Sequence, residues 1–152
     1  PNTGLINNTT GSNFGVIEDI IEWYPDSLST KDVLNAYQLQ QLLPNTTVIT
    51  HSAGNEDIYK ANEVNALVGA KTPYNLISVG SPKSKIDLKN STSKVGATVV
   101  TQINHPNDPV TIVNKDADYE INKDPISDLE NHPYATYNNR VKEKLQKVKD
   151  NE

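Results

Sequence analysis

The stretch Thr46-Thr47-Val48-Ile49-Thr50-His51-Ser52-Ala53-Gly54-Asn55 decides the fold of this chain. Its first five residues are all β-branched, the composition of a short strand buried in a parallel sheet. A polar turn follows at once. From Glu56 to Val68, Ile58, Ala61, Val64, Asn65 and Val68 then recur at helical spacing until Gly69 closes the run. Strand, tight turn and helix in succession form a nucleophile elbow, which thrusts a Ser hydroxyl out at the carboxyl edge of a sheet with a helix N-terminus behind it. The usual pattern is G-x-S-x-G; here Thr50 stands at the first Gly and Gly54 keeps the second. Ser52 is the candidate nucleophile, and the alternative that it caps the helix beginning at Gly54 stays open, because Ser is a favoured cap.

Working outward toward the C-terminus, Tyr74 to Val79 reads as a second strand that breaks at Gly80-Ser81-Pro82. Residues 83–96 are rich in Ser and Lys and read as a loop, able to fold back as an extra strand. Ala97 to Ile103 reads as a third strand running into Asn104-His105-Pro106-Asn107-Asp108-Pro109, with Val110 to Val113 as a short extension. Residues 114–133 form a long acidic connection. From Tyr134 onward, Tyr137, Val141, Leu145 and Val148 draw a narrow apolar stripe along a terminal helix, residues 134–152, rich in Lys.

Toward the N-terminus, Ser29 caps a helix with Asp32 at its third position and Val33, Leu34, Tyr37 and Leu42 on one side, stopped by Pro44-Asn45. Phe14, Ile17, Ile20, Ile21 and Tyr24 mark an earlier helix ended by Pro25, and residues 1–13 read as a loop. Helices alternating with strands in this order predict an α/β fold, a small and mostly parallel sheet flanked by helices with right-handed crossovers. Three parallel strands leave an edge without a neighbour. A second copy, an immunity or upstream segment, or residues 83–96 would fill it.

The 152 residues suffice for one domain and not for two separate cores. With 35% apolar residues and a mean hydropathy of -0.61 the core is modest, but the chain is not depleted enough to stay unfolded. Fourteen Lys and Arg against nineteen Asp and Glu give a charge of -5, which argues against nucleic acid as a partner. No apolar run approaches the ~20 residues of a transmembrane segment. The absence of Cys excludes disulfides and thiolate metal sites. Asp116, Asp118, Asp124, Asp128 and Glu130 lack the full spacing and central Gly of a Ca²⁺ loop, so no metal and no cofactor is expected. The chain has no Met and opens at Pro1, which reads as a fragment or processed piece of a much larger protein.

Hydrolases with such an elbow bring an acid after a later strand and a His on a later loop, in the order Ser, Asp, His. Asp108 follows the third strand and His132 precedes the last helix, so Ser52, Asp108 and His132 meet that order. His105, in the turn before Asp108, is a rival base or a loop residue. His51 reads as a packing residue beside the apex. Glu56 and Asp57 read as first-turn carboxylates that complement the helix dipole.

On these residues the chain resembles the α/β-hydrolase family of serine esterases and lipases. His51-Ser52-Ala53-Gly54-Asn55, Ile77-Ser78-Val79-Gly80-Ser81-Pro82, Asn107-Asp108-Pro109-Val110 and Asn131-His132-Pro133-Tyr134 are similar to the hydrolase-like regions near the C-termini of filamentous-haemagglutinin-type exoproteins and polymorphic toxins. The resemblance covers roughly residues 40 to 140. It implies a Ser52 nucleophile, a His132 base, an Asp108 that orients the base, and an oxyanion donor at the Ala53 amide, with Thr3 and Gly4 in place for a second. It further implies hydrolysis of a carboxylic ester or lipid by a secreted or cell-surface bacterial protein delivered into a target cell, with an immunity protein as partner. The alternative is a non-catalytic α/β module of an adhesin or toxin that acts through binding.

Overall fold

Four parallel strands, β1 (Thr3–Leu5), β2 (Thr46–His51), β3 (Tyr74–Val79) and β4 (Thr98–Ile103), lie side by side in chain order. They belong to a computed structural model that describes residues 3–5, 28–105, 108, 110 and 137–151. Helices α1 (Thr30–Gln40), α2 (Gly54–Leu67), α3 (Lys85–Val95) and α4 (Asn138–Asp150) flank the sheet. The chain is thus the small α/β fold that the alternation of elements predicts. Among the described residues no helix is long and apolar enough to cross a membrane.

Successive side chains of a strand point to opposite faces, so β2 and β3 feed two separate cores. Val48, Tyr74 and Leu76 meet Val33, Ala36 and Leu39 of α1, Ile58, Ala61 and Val64 of α2, and Leu88 and Val95 of α3. Ile49, Ile77, Val79 and Ile103 face the other way, against Val141 of α4 and Tyr137 just before it. Val48, Leu76 and Ile77 are fully buried, as central strands of a two-sided parallel sheet must be. Burying each such side chain contributes about 1.5–3 kcal/mol.

Local signals set the helix ends. Ser29 accepts the amide of Asp32 while the Asp32 carboxylate takes the Ser29 amide at 2.6 Å, a reciprocal capping box. Residues 83–96 are not a loop: Ser84 caps α3 by accepting the Asp87 amide at 3.0 Å, and Gly96 closes it in the left-handed conformation at φ 81°. The buried face of α3 is Leu88, Ser91, Thr92 and Val95, helical in spacing but half polar, so no apolar stripe betrays it. The Ser91 and Thr92 hydroxyls are buried because each donates back to the Leu88 carbonyl.

The N-terminal residues need a second correction. Thr3–Leu5 are not loop but an edge strand, pairing Thr3 with Thr47, Gly4 with Val48 and Leu5 with Ile49. Three residues are too few to show a period, and Gly4 disfavours a strand; the partner strand imposes the conformation. The sheet therefore has one more strand than the sequence reading predicts, and β2 is not an edge. On the other side β4 carries an irregularity: Leu76 pairs with Val99 and Ile77 with Thr101, so Val100 bulges outward. The expected helix at 14–24, the extension at 111–113, the acidic connection at 114–133 and the start of the terminal helix at 134–136 lie outside the described residues.

Candidate active site

The carboxyl ends of β2, β3 and β4 converge on one edge of the sheet, where open α/β sheets bind ligands. Ser52 follows β2 directly and adopts φ 54°, the left-handed region that costs a residue with a Cβ about 1–2 kcal/mol. Its amide donates to the Val79 carbonyl at 3.1 Å, and its carbonyl accepts the Asn55 amide at 3.0 Å. Helix α2 starts immediately behind it, and the cap position is Ala53, which makes no side-chain cap bond. Among the described residues the Ser52 hydroxyl joins no hydrogen bond, so Ser52 is not the helix cap that the alternative reading makes of it. The amides of Ala53 and Gly54 also donate to no described group, leaving two helix N-terminal donors beside a half-buried hydroxyl.

Thr50 occupies the place where the elbow pattern has Gly, and the structure shows what it does there. Its hydroxyl donates to Asn55 Oδ1 at 2.5 Å, and the Ser78 hydroxyl donates to the same oxygen at 2.6 Å. Asn55 Nδ2 donates to the Ser52 carbonyl at 3.1 Å and to the Val79 carbonyl at 3.0 Å. Gln102 Nε2 extends the network from β4, to Ser78 Oγ at 3.2 Å and to the Lys83 carbonyl at 2.9 Å. Thr50, Ser78 and Gln102 are register partners across three strands, so a polar row crosses the sheet just below the elbow. Sequence reasoning missed Asn55; the signal was a polar residue near the end of each of three strands.

Asp108 is fully buried beyond the end of β4. Its amide donates to the His105 carbonyl at 3.0 Å, its Oδ1 accepts the Val110 amide at 2.9 Å, and its Oδ2 accepts the Tyr137 hydroxyl at 2.5 Å. Burial, with the Asp108 carboxylate beside it, pushes the Tyr137 phenol well above the usual range and keeps it a neutral donor. Sequence reasoning gave Tyr137 only a place in an apolar stripe. Side chains from the end of β2, the turn after β4 and the start of the terminal helix crowd Gly80, at φ 52°: a Cβ there would lie 3.0 Å from Asp108 Oδ2, 3.3 Å from the Tyr137 ring and 3.4 Å from the His51 ring. His51 itself sits 6.2 Å from Tyr137 between ring centres, tilted by 54°.

The remaining expected groups divide. His132 lies outside the described residues. His105 is buried, with its carbonyl accepting the Asp108 amide. Thr3 and Gly4 are in β1, level with Thr47 and Val48. Gly4 is thus about 13 Å down the strand from the level of Ser52, and neither residue reaches the oxyanion position. Glu56 and Asp57 stand in the first turn of α2 and pair with Lys83 at 3.4 Å and Lys31 at 2.9 Å. Grooves of about 470 and 430 Å³ run along α2 past Tyr59 and Glu63, and neither has Ser52 in its wall, so neither is assigned to substrate. Comparison with family models, curated proteins and solved structures finds no match to this chain.

Proposed function

We propose that the protein is a serine hydrolase of carboxylic esters, lipid esters among them, with Ser52 as the nucleophile. The observation that carries this reading is the left-handed Ser52 on a strand-to-helix turn, with the amides of Ala53 and Gly54 unclaimed among the described residues. Ser52 Oγ attacks the ester carbonyl and forms the new C–O bond as its proton passes to His132, while the Ala53 amide receives the developing oxyanion. Collapse of the tetrahedral species breaks the bond to the alcohol, which takes the proton from His132. A water molecule then repeats the sequence on the acyl group and frees Ser52. Asp108 holds the imidazole and stabilises its positive charge; His105, three residues upstream, is the rival for the base.

A second reading has one observation in its favour. Both oxygens of Asp108 already accept hydrogen bonds, from Val110 and Tyr137, as they would in a purely structural carboxylate. A non-catalytic module that acts through binding would need nothing more of it. The setting that accompanies the hydrolase reading, a secreted bacterial toxin region with an immunity partner, rests on the resemblance of the quoted motifs alone.

Turnover of p-nitrophenyl esters of increasing acyl length separates the readings. The hydrolase reading expects turnover that Ser52→Ala abolishes; equal rates for the two proteins would refute it.

A further inference from the structure

We propose that Asn55 is the positioning residue of the elbow: its carboxamide, in place of a glycine at position 50, holds Ser52 in the left-handed conformation that presents the hydroxyl. The catalytic half of this statement rests on the reading of Ser52 as nucleophile; the conformational half does not. Asn55 is fully buried and uses all four of its hydrogen-bonding sites, accepting from Thr50 and Ser78 and donating to the carbonyls of Ser52 and Val79. The two donated bonds close a ring. The Ser52 amide and Asn55 Nδ2 share the Val79 carbonyl, and the same Nδ2 reaches back to the Ser52 carbonyl. Both peptide groups flanking the Ser52 Cα are therefore tied to one nitrogen and one oxygen, which fixes its φ and ψ together. A backbone held in a sparsely populated region persists only where its surroundings over-determine it, and this ring supplies that constraint. Thr50 is accommodated because its hydroxyl faces Asn55 Oδ1 and so becomes part of the clamp.

Asn65 provides a matched control on the same helix. It too is fully buried, donates to a backbone carbonyl, that of Ala36 at 3.0 Å, and accepts from Gln40 at 2.6 Å, but it is ten residues from the elbow. The test compares Asn55→Ala with Asn65→Ala at a temperature where amide NMR spectra show both folded; if Asn55→Ala does not fold, Asn55→Ser replaces it. Two quantities are read: the second-order rate of Ser52 labelling by a fluorophosphonate, and hydrogen exchange at the Ser52 amide. Labelling is expected to fall on the order of 100-fold in Asn55→Ala and to stay within about twofold in Asn65→Ala. Ser52 amide protection is expected to fall by about tenfold or more in the first variant alone. Wild-type labelling in Asn55→Ala, or equal losses in both variants, would overturn the proposal. If wild-type protein is not labelled at Ser52, the hydrolase reading fails and exchange alone decides: loss confined to Asn55→Ala supports the clamp, and equal protection in both variants overturns it.

Discussion

The phenol of Tyr137 donates to Oδ2 of Asp108 at 2.5 Å, joining the turn before α4 to the turn after β4 with both side chains fully buried. With the packing of Tyr137 and Val141 on the strands, this bond ties the terminal helix to the carboxyl edge of the sheet.

Tyr137→Phe keeps the ring and removes one donor from a buried carboxylate. Such a loss costs about 1–3 kcal/mol. Urea unfolding is expected to show a lower midpoint with an unchanged slope. An unchanged midpoint would mean that the carboxylate does not depend on Tyr137.

Two glycines separate backbone strain from crowding. Gly96 and Gly80 both have positive φ, but a Cβ at Gly96 meets nothing within 4 Å, whereas one at Gly80 meets Asp108, Tyr137 and His51. Gly96→Ala should cost about 1–2 kcal/mol from conformation alone. Gly80→Ala should cost clearly more, because backbone and carboxylate must also move apart. Equal losses in thermal unfolding would contradict the crowding at the strand ends.

Alkaline pH tests the buried phenols. Burial pushes the Tyr74 hydroxyl, bonded to Asn62 at 2.9 Å, far above its usual range, as it does Tyr137. Both raised values favour the neutral form in the folded chain. Their contributions are whole below the unfolded phenol value of about 10 and fade as pH rises above it, because only the unfolded chain then readily gives up the protons. Absorbance at 295 nm should therefore show at least two of the seven tyrosines, Tyr74 and Tyr137, ionising only with the loss of far-UV dichroism. Complete ionisation near pH ~10 in folded protein would contradict this burial.

Strands β2 and β3 and helices α1 and α2 were legible because each carries a dense signal: a β-branched run, an apolar spacing, or Ser29 with Asp32. β1 and α3 were not. Thr3–Leu5 becomes a strand through pairing with β2, and α3 buries Ser91 and Thr92 by self-bonding to Leu88, two effects that hydropathy patterning does not register. At the site, Ser52 and Asp108 could be read from their place after strands. Asn55 and Tyr137 could not, because their importance lies in partners 24 and 29 residues away along the chain. The distance of Thr3 and Gly4 from the elbow is likewise a matter of register, which only the sheet reveals.

Strain at the elbow opposes stability. Ser52→Gly removes the Cβ that disfavours φ 54° but adds backbone freedom to the unfolded chain, for a net change between about 0 and 1 kcal/mol of stabilisation. Ser52→Ala keeps the Cβ and gains nothing. A melting temperature for Ser52→Gly well below that of Ser52→Ala would show that Ser52 is not strained.

The most direct measurement is fluorophosphonate labelling of the folded protein, read by intact mass and peptide mapping. Trypsin releases residues 32–60 between Lys31 and Lys60, a peptide in which Ser52 is the only serine. One phosphonyl adduct per chain on that peptide, absent in Ser52→Ala, is the predicted result. An unmodified peptide from folded wild-type protein, or the same adduct in Ser52→Ala, would contradict Ser52 as the nucleophile.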